Sequence, residues 1–230
     1  MPLPLLYLIS GTRVYGSIGE EDHFELPRAN YDFCGMGRCN GRTQGWHYGM
    51  TDSFGKENEM PSETATFGAG CFWGVEHLFR KVPGVIDAVS GYSGGIVENP
   101  TYAQVCSDTT GHAEVVEVTF DPEVVSFNQL LEVFWAMHDP TQVDRQGPDH
   151  GSQYRSIVLT HSNEQQLAAE ASRDRVQARY SKPIATEIQP HVAFYPAEDY
   201  HQRYYLNNGH EPYCHAIPAG FLEELGLVRA

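Results

Sequence analysis

The chain has 230 residues, of which 41% are apolar, enough for one domain with a sizeable core and additional material. Its formal charge is −15, from 30 acidic and 15 basic residues. This balance argues against binding to nucleic acid or to an anionic membrane, because both need clusters of Lys and Arg. No stretch approaches membrane-spanning length, and the apolar start "MPLPLLYLIS" lacks the features of a signal peptide, so we expect a cytoplasmic protein.

The first part of the chain differs from the rest. Residues 1–63 are rich in glycine and polar residues and show neither helical nor alternating periodicity. We therefore predict a poorly ordered N-terminal extension over residues 1–63 and a catalytic domain over residues 64–230. The methionine at Met60 stands just ahead of the first predicted strand.

From Ala65 onward, strands and helices alternate. Five segments are predicted as strands: "ATFGAG", "VIDAVSGYSGG", "HAEVVEVTF", "QYRSIVLT" and "IATEIQP". Three segments are predicted as helices: "FWGVEHLFRKV", a helix opened by a capping box of Ser126 and Gln129, and a polar helix from Ser162 to about Tyr180. The residues after Pro196 look mostly irregular. Mixed strands and helices around one sheet indicate a two-layer α+β fold.

The motif "GAGCFWG" places a cysteine between a predicted strand and a predicted helix. Cys71 then lies at or just before a helix N-terminus, where partial positive charge favours the nucleophilic thiolate. Gly68 and Gly70 let the backbone bend and leave the sulfur open. Phe72 and Trp73 fall at the turn rather than on the periodic face of the helix, so exposed aromatics beside the thiolate suit a small apolar substrate group. The alternative is a buried cysteine with two core aromatics.

A second motif, "GHAEVVEV", contains an acid on a predicted strand. Glu114 shares its face with Val116, Val118 and Phe120, because side chains alternate along a strand. A carboxyl on an apolar face tends to stay protonated with a raised pKa, and could donate a proton to an oxygen. Alternatively, the strand twists and Glu114 faces water or a basic partner.

Two tyrosines stand in motif-like segments, Tyr102 in "NPTYAQVC" and Tyr154 in "DHGSQYRS". A phenol can donate a hydrogen bond to a polar oxygen in an apolar pocket, although most tyrosines are half-buried packing residues.

Several segments together resemble the methionine sulfoxide reductase A family, the peptide-methionine (S)-S-oxide reductases. The matching pieces, in chain order, are "GAGCFWGVE", "GYSGG", "NPTYAQVCSDTTGHAEVVEVTFDP", "HDPTQVDRQGPDHGSQYRS", "AEDYHQRY" and "PYC". They run from about Thr66 to Cys214. The resemblance implies an α+β two-layer sandwich with a central mixed β-sheet, a ferredoxin-like plait core and a long irregular C-terminal tail.

The resemblance also implies a mechanism. Cys71 attacks the sulfoxide sulfur while Glu114 protonates its oxygen, and Tyr102 and Tyr154 hydrogen-bond that oxygen. The substrate methyl group lies against Phe72 and Trp73, and Asp149 supports the site through hydrogen bonds. Methionine leaves, and Cys71 remains as a sulfenic acid.

The recycling step follows from the same resemblance. Cys214 matches the resolving cysteine, and thioredoxin is the external reductant of the resulting disulfide, with no bound cofactor and no metal. Substrates are the S-epimer of methionine sulfoxide in oxidised proteins and as the free amino acid, and we expect a monomer.

Cys106 is predicted to be a core cysteine. The C-terminal tail contains one cysteine, Cys214, and so lacks the second tail cysteine that some members of this family have.

Two other classes of function compete with this interpretation. A cysteine hydrolase would pair Cys71 with a histidine base, and His112 is the nearest candidate, although it needs an orienting partner. A metal-binding module would use Cys34, Cys39 and His47, although a fourth ligand is not evident.

Overall fold

The computed structural model describes residues 61–213 and 215–228. Eight strands follow in chain order: β1 (Glu63–Ala69), β2 (Val85–Ser93), β3 (Ala113–Phe120), β4 (Arg145–Gln146), β5 (Asp149–His150), β6 (Ser156–Thr160), β7 (Glu187–Pro190) and β8 (Tyr195–Pro196). The α-helices are α1 (Phe72–Phe79), α2 (Tyr102–Cys106), α3 (Phe127–Met137), α4 (Asn163–Gln177), α5 (Tyr204–Asn208) and α6 (Phe221–Glu224). Short 3₁₀ turns cover Ser152–Tyr154 and Asp199–His201.

Six strands form one sheet in the order β7-β6-β1-β3-β2-β8, and β4 pairs with β5 separately. All pairs in the large sheet are antiparallel except β6 with β7, so the sheet is mixed. The four central strands have the order β6-β1-β3-β2, with α1 between β1 and β2 and α3 between β3 and β6. This is the βαββαβ arrangement of the ferredoxin-like plait. The predicted two-layer α+β fold is confirmed.

The main core lies between one face of the sheet and the helices. Alternation along β3 directs Val116, Val118 and Phe120 into this core, where they are fully buried with residues of α1, α3 and α4. Val115 lies in a smaller buried cluster on the opposite face. The helices therefore cover one face of the sheet, which gives the two layers.

Local sequence signals account for the helix starts. The capping box predicted at Ser126 and Gln129 is present, and α3 buries Leu130, Leu131, Phe134 and Trp135, whereas Phe127 is only partly buried. The side chain of Ser162 caps α4, which ends at Gln177 rather than near Tyr180. The predicted strands are also found, whereas α2 and β8 were not predicted.

The described residues after β8 are mostly irregular, with three short helical turns. Glu76 of α1 holds this tail against the helix. Its buried carboxylate accepts hydrogen bonds of 2.9 and 3.0 Å from the backbone N–H of Arg203. The same carboxylate accepts a hydrogen bond of 2.9 Å from Arg80 Nε at the end of the helix. Among the helices of the described part, none has the length and apolar character to cross a bilayer.

Candidate active site

Cys71 lies on the turn between β1 and α1 and is the N-cap residue of α1. The turn requires glycine at position 70, where φ is +102°, a backbone conformation that other residues rarely adopt. The predicted position of Cys71 at a helix N-terminus is therefore confirmed. The helix N–H groups and the dipole of α1 favour negative charge at this position.

The expectation that the Cys71 sulfur is open was wrong, since Cys71 is only 7% exposed. The C-terminal tail packs on the same turn. His215 is buried and its Nε2 donates a hydrogen bond of 2.7 Å to the Ala69 carbonyl oxygen. A Cβ atom at Gly74 would come within 2.3 Å of His215 Nδ1, so a glycine there permits this close approach. The tail is thereby held against the cysteine turn.

Glu114 at the start of β3 faces the main core and is 1% exposed. Its Oε2 accepts a hydrogen bond of 3.0 Å from the backbone N–H of Phe72, the residue after Cys71. Burial, and secondarily the negative charge of Cys71, raises the pKa of Glu114 well above its ordinary value, against the opposing effect of the Phe72 hydrogen bond. The carboxyl therefore tends to hold its proton, and its placement on the apolar face is as predicted.

The two tyrosines converge on the same centre from different elements. Tyr102 begins α2, and Tyr154 ends the 3₁₀ turn before β6. Both are half-buried. Burial is the main cause that raises the pKa of each phenol, and the charge of Glu114 adds to it in both. Two neutral phenol donors are thus held near the Glu114 carboxyl.

Asp149 lies in β5 and is linked to the tail. Burial raises the pKa of its carboxyl, while His215, His150 and a hydrogen bond from Tyr213 oppose that shift. Tyr213 and His215 flank Cys214 in the chain. Asp149 is therefore placed where it can orient the tail, and its negative charge adds to burial and to Glu114 in raising the pKa of Tyr154.

The aromatic pair differs from expectation. Phe72 is 1% exposed and belongs to the core, because it stands three and seven residues before Val75 and Phe79 and so shares their helix face. Trp73 is half-buried and packs at the core boundary, where its ring stacks on that of Tyr204 at 3.8 Å. Of the two, only Trp73 presents a partly accessible ring.

Two residues that hold Trp73 and Tyr102 in place, Glu198 and His201, were not predicted from the sequence. Trp73 Nε1 donates to His201 Nδ1 at 3.0 Å, and the Tyr102 ring lies 4.5 Å from that of the buried His201. Glu198 accepts from the Tyr102 backbone N–H and from the Tyr92 hydroxyl, both at 2.9 Å. Both residues belong to "AEDYHQRY", a segment that contributed to the resemblance and could have identified them.

Of the four cysteines other than Cys71, only Cys106 lies within the described residues. Cys106 was predicted to be a core cysteine, but it is exposed at the end of α2, where only Val105 is buried. It lies one helical turn from Tyr102, and after burial its thiol is the next cause of the raised pKa of the Tyr102 phenol. Cys214 lies outside the described residues, as do Cys34, Cys39 and His47 of the suggested metal module.

The geometry does not support His112 as the base of a cysteine hydrolase. Its Nδ1 accepts a hydrogen bond of 3.1 Å from the Gly95 backbone N–H, and its Nε2 donates one of 2.7 Å to the Val97 carbonyl oxygen. Both ring nitrogens of the buried His112 are therefore already hydrogen-bonded to the backbone of a neighbouring loop. It serves to hold that loop, and neither nitrogen is left to deprotonate a nucleophile.

Comparison with known proteins gives a consistent result. The family model for peptide methionine sulfoxide reductase matches residues 63–225. A peptide methionine sulfoxide reductase MsrA from Methanothermobacter thermautotrophicus is 59% identical over 148 residues, which cover 64% of this chain and 88% of the relative. An MsrA from Geobacter sulfurreducens is 58% identical over 149 residues, covering 64% and 92%.

Solved structures are similar in the same region. The reduced form of Mxr1 from Saccharomyces cerevisiae superposes with a TM-score of 0.66 at 34% identity, covering 70% of this chain and 95% of that one. Methionine sulfoxide reductase A of Corynebacterium diphtheriae superposes with a TM-score of 0.61 at 39% identity, covering 66% and 78%.

Proposed function

The chain belongs to the peptide methionine sulfoxide reductase family, and from this premise we propose that it reduces the S-epimer of methionine sulfoxide to methionine in oxidised proteins and as the free amino acid. The observation that carries the proposal is the buried Glu114 carboxyl, which is anchored on the N–H of Phe72 directly beside Cys71. An acid that keeps its proton next to a nucleophilic sulfur is what sulfoxide reduction requires.

In the proposed first step the Cys71 thiolate attacks the sulfoxide sulfur and Glu114 supplies a proton to the oxygen. The oxygen is transferred to Cys71, which becomes a sulfenic acid, while the substrate sulfur gains two electrons and leaves as the thioether of methionine. Tyr102 and Tyr154 donate hydrogen bonds to the oxygen as negative charge develops on it. Trp73, fixed by His201, forms the apolar side of the site for the methyl group, and the buried Phe72 supports it from the core.

In the proposed second step the Cys214 thiol attacks the Cys71 sulfenic acid, forms a disulfide and releases water. The support is the anchoring of both neighbours of Cys214, since His215 bonds to Ala69 and Tyr213 bonds to Asp149. Thioredoxin, an external dithiol that the family resemblance implies, then reduces the disulfide. We place this cycle in the cytoplasm, and the purpose of the activity is repair of oxidised methionine.

The direct test is a thioredoxin-coupled assay with each sulfoxide epimer of methionine separately. The S-epimer should be reduced and the R-epimer should not. Hydrolysis of an ester substrate without reduction of either epimer would instead favour the cysteine hydrolase that the hydrogen bonds of His112 disfavour.

Replacing Cys214 with serine separates the two steps. The variant should still release one methionine per enzyme, because Cys71 and Glu114 are intact. It should then stall with thioredoxin as reductant, because no second thiol converts the sulfenic acid to a disulfide. Quantifying methionine in single-turnover and steady-state assays checks both expectations. Normal steady-state turnover with thioredoxin would move the resolving role to Cys106 or to the N-terminal cysteines.

Removing residues 1–59 tests the proposed domain boundary. A protein that begins at Met60 should fold and reduce methionine sulfoxide at close to the full-length rate, because the removed segment lacks the periodic apolar runs that bury surface. The family match likewise begins at residue 63. Rates should be compared with thioredoxin and with a small thiol. A large loss confined to the thioredoxin assay would make Cys34 and Cys39 part of the catalytic cycle.

A further inference from the structure

Three side chains of metal-ligand type meet on the sheet face opposite Glu114. Glu117 lies in β3, His161 directly follows β6, and His191 directly follows β7. One ligand atom from each of the three lies within 4.8 Å of the other two. None of them has a role in the proposed reduction.

Strand pairing brings the three together. Glu117 is three residues beyond Glu114 on β3, so their Cα atoms are separated by roughly 10 Å and the two side chains point to opposite faces of the sheet. Glu117 is paired with Thr66 of β1, and the Thr66 hydroxyl lies 2.9 Å from Nε2 of His161. The His191 backbone N–H donates to the Thr160 carbonyl oxygen at 2.9 Å, which holds the end of β7 beside that of β6.

One nitrogen of this cluster that could bind a metal ion makes no hydrogen bond within the described residues. His191 Nε2 is buried and has no hydrogen-bond partner in the described part of the chain. The nearest carboxylate oxygen, Glu117 Oε2, is 3.8 Å away, too far for a hydrogen bond. A buried nitrogen without a partner is costly, and an ion between these two atoms would satisfy both.

We propose that Glu117, His161 and His191 bind a divalent first-row metal ion, with Zn²⁺ as the best match, and that water completes the coordination. Two imidazoles and one carboxylate are a ligand set that zinc uses in open sites. Ligand atoms on a tetrahedral zinc lie roughly 3.3 Å apart, given bonds of about 2.0–2.2 Å. The ligand atoms must therefore approach one another by up to about 1.5 Å, and the stacked rings of His161 and His191 must turn, for the cluster to close on the ion.

The surroundings fit an ion site. Glu117 and His191 have 29% and 28% of their side chains exposed, so they are partly shielded, and His161 is the most accessible of the three. A crevice of about 350 Å³ that both histidines line provides a route from solvent.

Thr66 supplies the supporting contact that metal-binding histidines use. Its hydroxyl can accept the Nε2 proton of His161, which leaves the lone pair of Nδ1 for the ion and fixes the ring orientation. Because the ligands come from β3 and from the ends of β6 and β7, bound zinc would tie these three strands together. It would stabilise the folded protein in proportion to its saturation.

Zinc titration of the full-length, chelator-treated protein by calorimetry tests the proposal, with parallel thermal unfolding. His191→Ala and His161→Ala should each lose one class of zinc site and the zinc-dependent rise in Tm. Thr66→Val, which keeps all three ligands, should weaken the site by about 10–100-fold. His210→Ala removes an exposed histidine outside the cluster and is the matched control. Zinc bound by cysteine thiols elsewhere in the chain is the same in all variants, so it does not affect the differences between them.

A cobalt titration identifies the ligands independently of folding. Co²⁺ in this site should give tetrahedral d–d bands without sulfur-to-cobalt charge transfer, and Glu117→Gln should weaken these bands while the far-ultraviolet circular dichroism is unchanged. The proposal is overturned if His161→Ala and His191→Ala bind zinc with the stoichiometry and affinity of the parent and of His210→Ala.

Discussion

Cys71→Ser is expected to abolish methionine formation entirely, including the first turnover. The proposed reaction needs a thiolate at the N-terminus of α1 to attack the sulfoxide sulfur and then to carry the oxygen as a sulfenic acid. A serine hydroxyl does not ionise at neutral pH and cannot accept oxygen in this way. The measurement is methionine released per enzyme without an external reductant, after rapid mixing with the S-epimer.

Cys106→Ser is the matched control. Cys106 is exposed, takes no part in the proposed first step and is close to serine in size, so this variant should release one methionine per enzyme. Stoichiometric methionine from Cys71→Ser would disprove the assignment of Cys71 as the nucleophile. Equal loss in both variants would instead implicate Cys106 in the first step.

Glu114→Ala should lower the single-turnover rate by roughly 10²–10³-fold, as removal of one donor to a developing oxyanion typically does, while Glu114→Gln should keep much more activity. The structure supplies the reason for the difference. A glutamine oxygen can still accept from the Phe72 N–H, and its NH₂ group can donate to the sulfoxide oxygen. Alanine offers neither, and it leaves the Phe72 N–H without its acceptor beside the nucleophile.

The pH dependence of the single-turnover rate distinguishes proton donation by Glu114 from a role in positioning alone. Burial raises the pKa of Glu114, so the carboxyl is protonated below its folded pKa and loses the proton as pH rises through that value. The wild-type single-turnover rate should therefore fall over that upper pH range, and Glu114→Gln should lack this limb. Equal rates in the alanine and glutamine variants, with matching thermal unfolding midpoints, would count against the proton-donor role.

Local signals in the sequence determined a large part of the fold. The capping box of Ser126 and Gln129 fixes the start of α3, because it depends only on backbone groups within one turn. Alternation along β3 placed Glu114 on the apolar face, because side-chain direction in a strand has a period of two. The strand, glycine turn and helix around Cys71 are equally local, so the thiol was found at the helix N-terminus as predicted.

The solvent exposure of side chains was harder to predict from the sequence than the face of the element on which they lie. Phe72 was expected at an accessible turn, yet it is buried between the sheet and the tail, where its ring lies 5.1 Å from that of His201. Cys71 was expected to be open, yet the His215 segment packs on its turn. In both cases the covering residues come from the irregular tail. An irregular segment has no periodicity from which its packing partners can be read.

The sequence by itself determined most of the elements, the position of Cys71 at a helix N-terminus and the face of β3 on which Glu114 lies. Only the tertiary structure decided which distant residues join them. Trp73 and His201 are 128 positions apart, and Ala69 and His215 are 146 apart. The three residues of the proposed zinc site likewise come from β3 and from the positions that follow β6 and β7. Such pairs depend on strand order and on the path of the tail. These follow from the burial of the whole core and from the pairing of all strands, and not from any local propensity of the residues that meet.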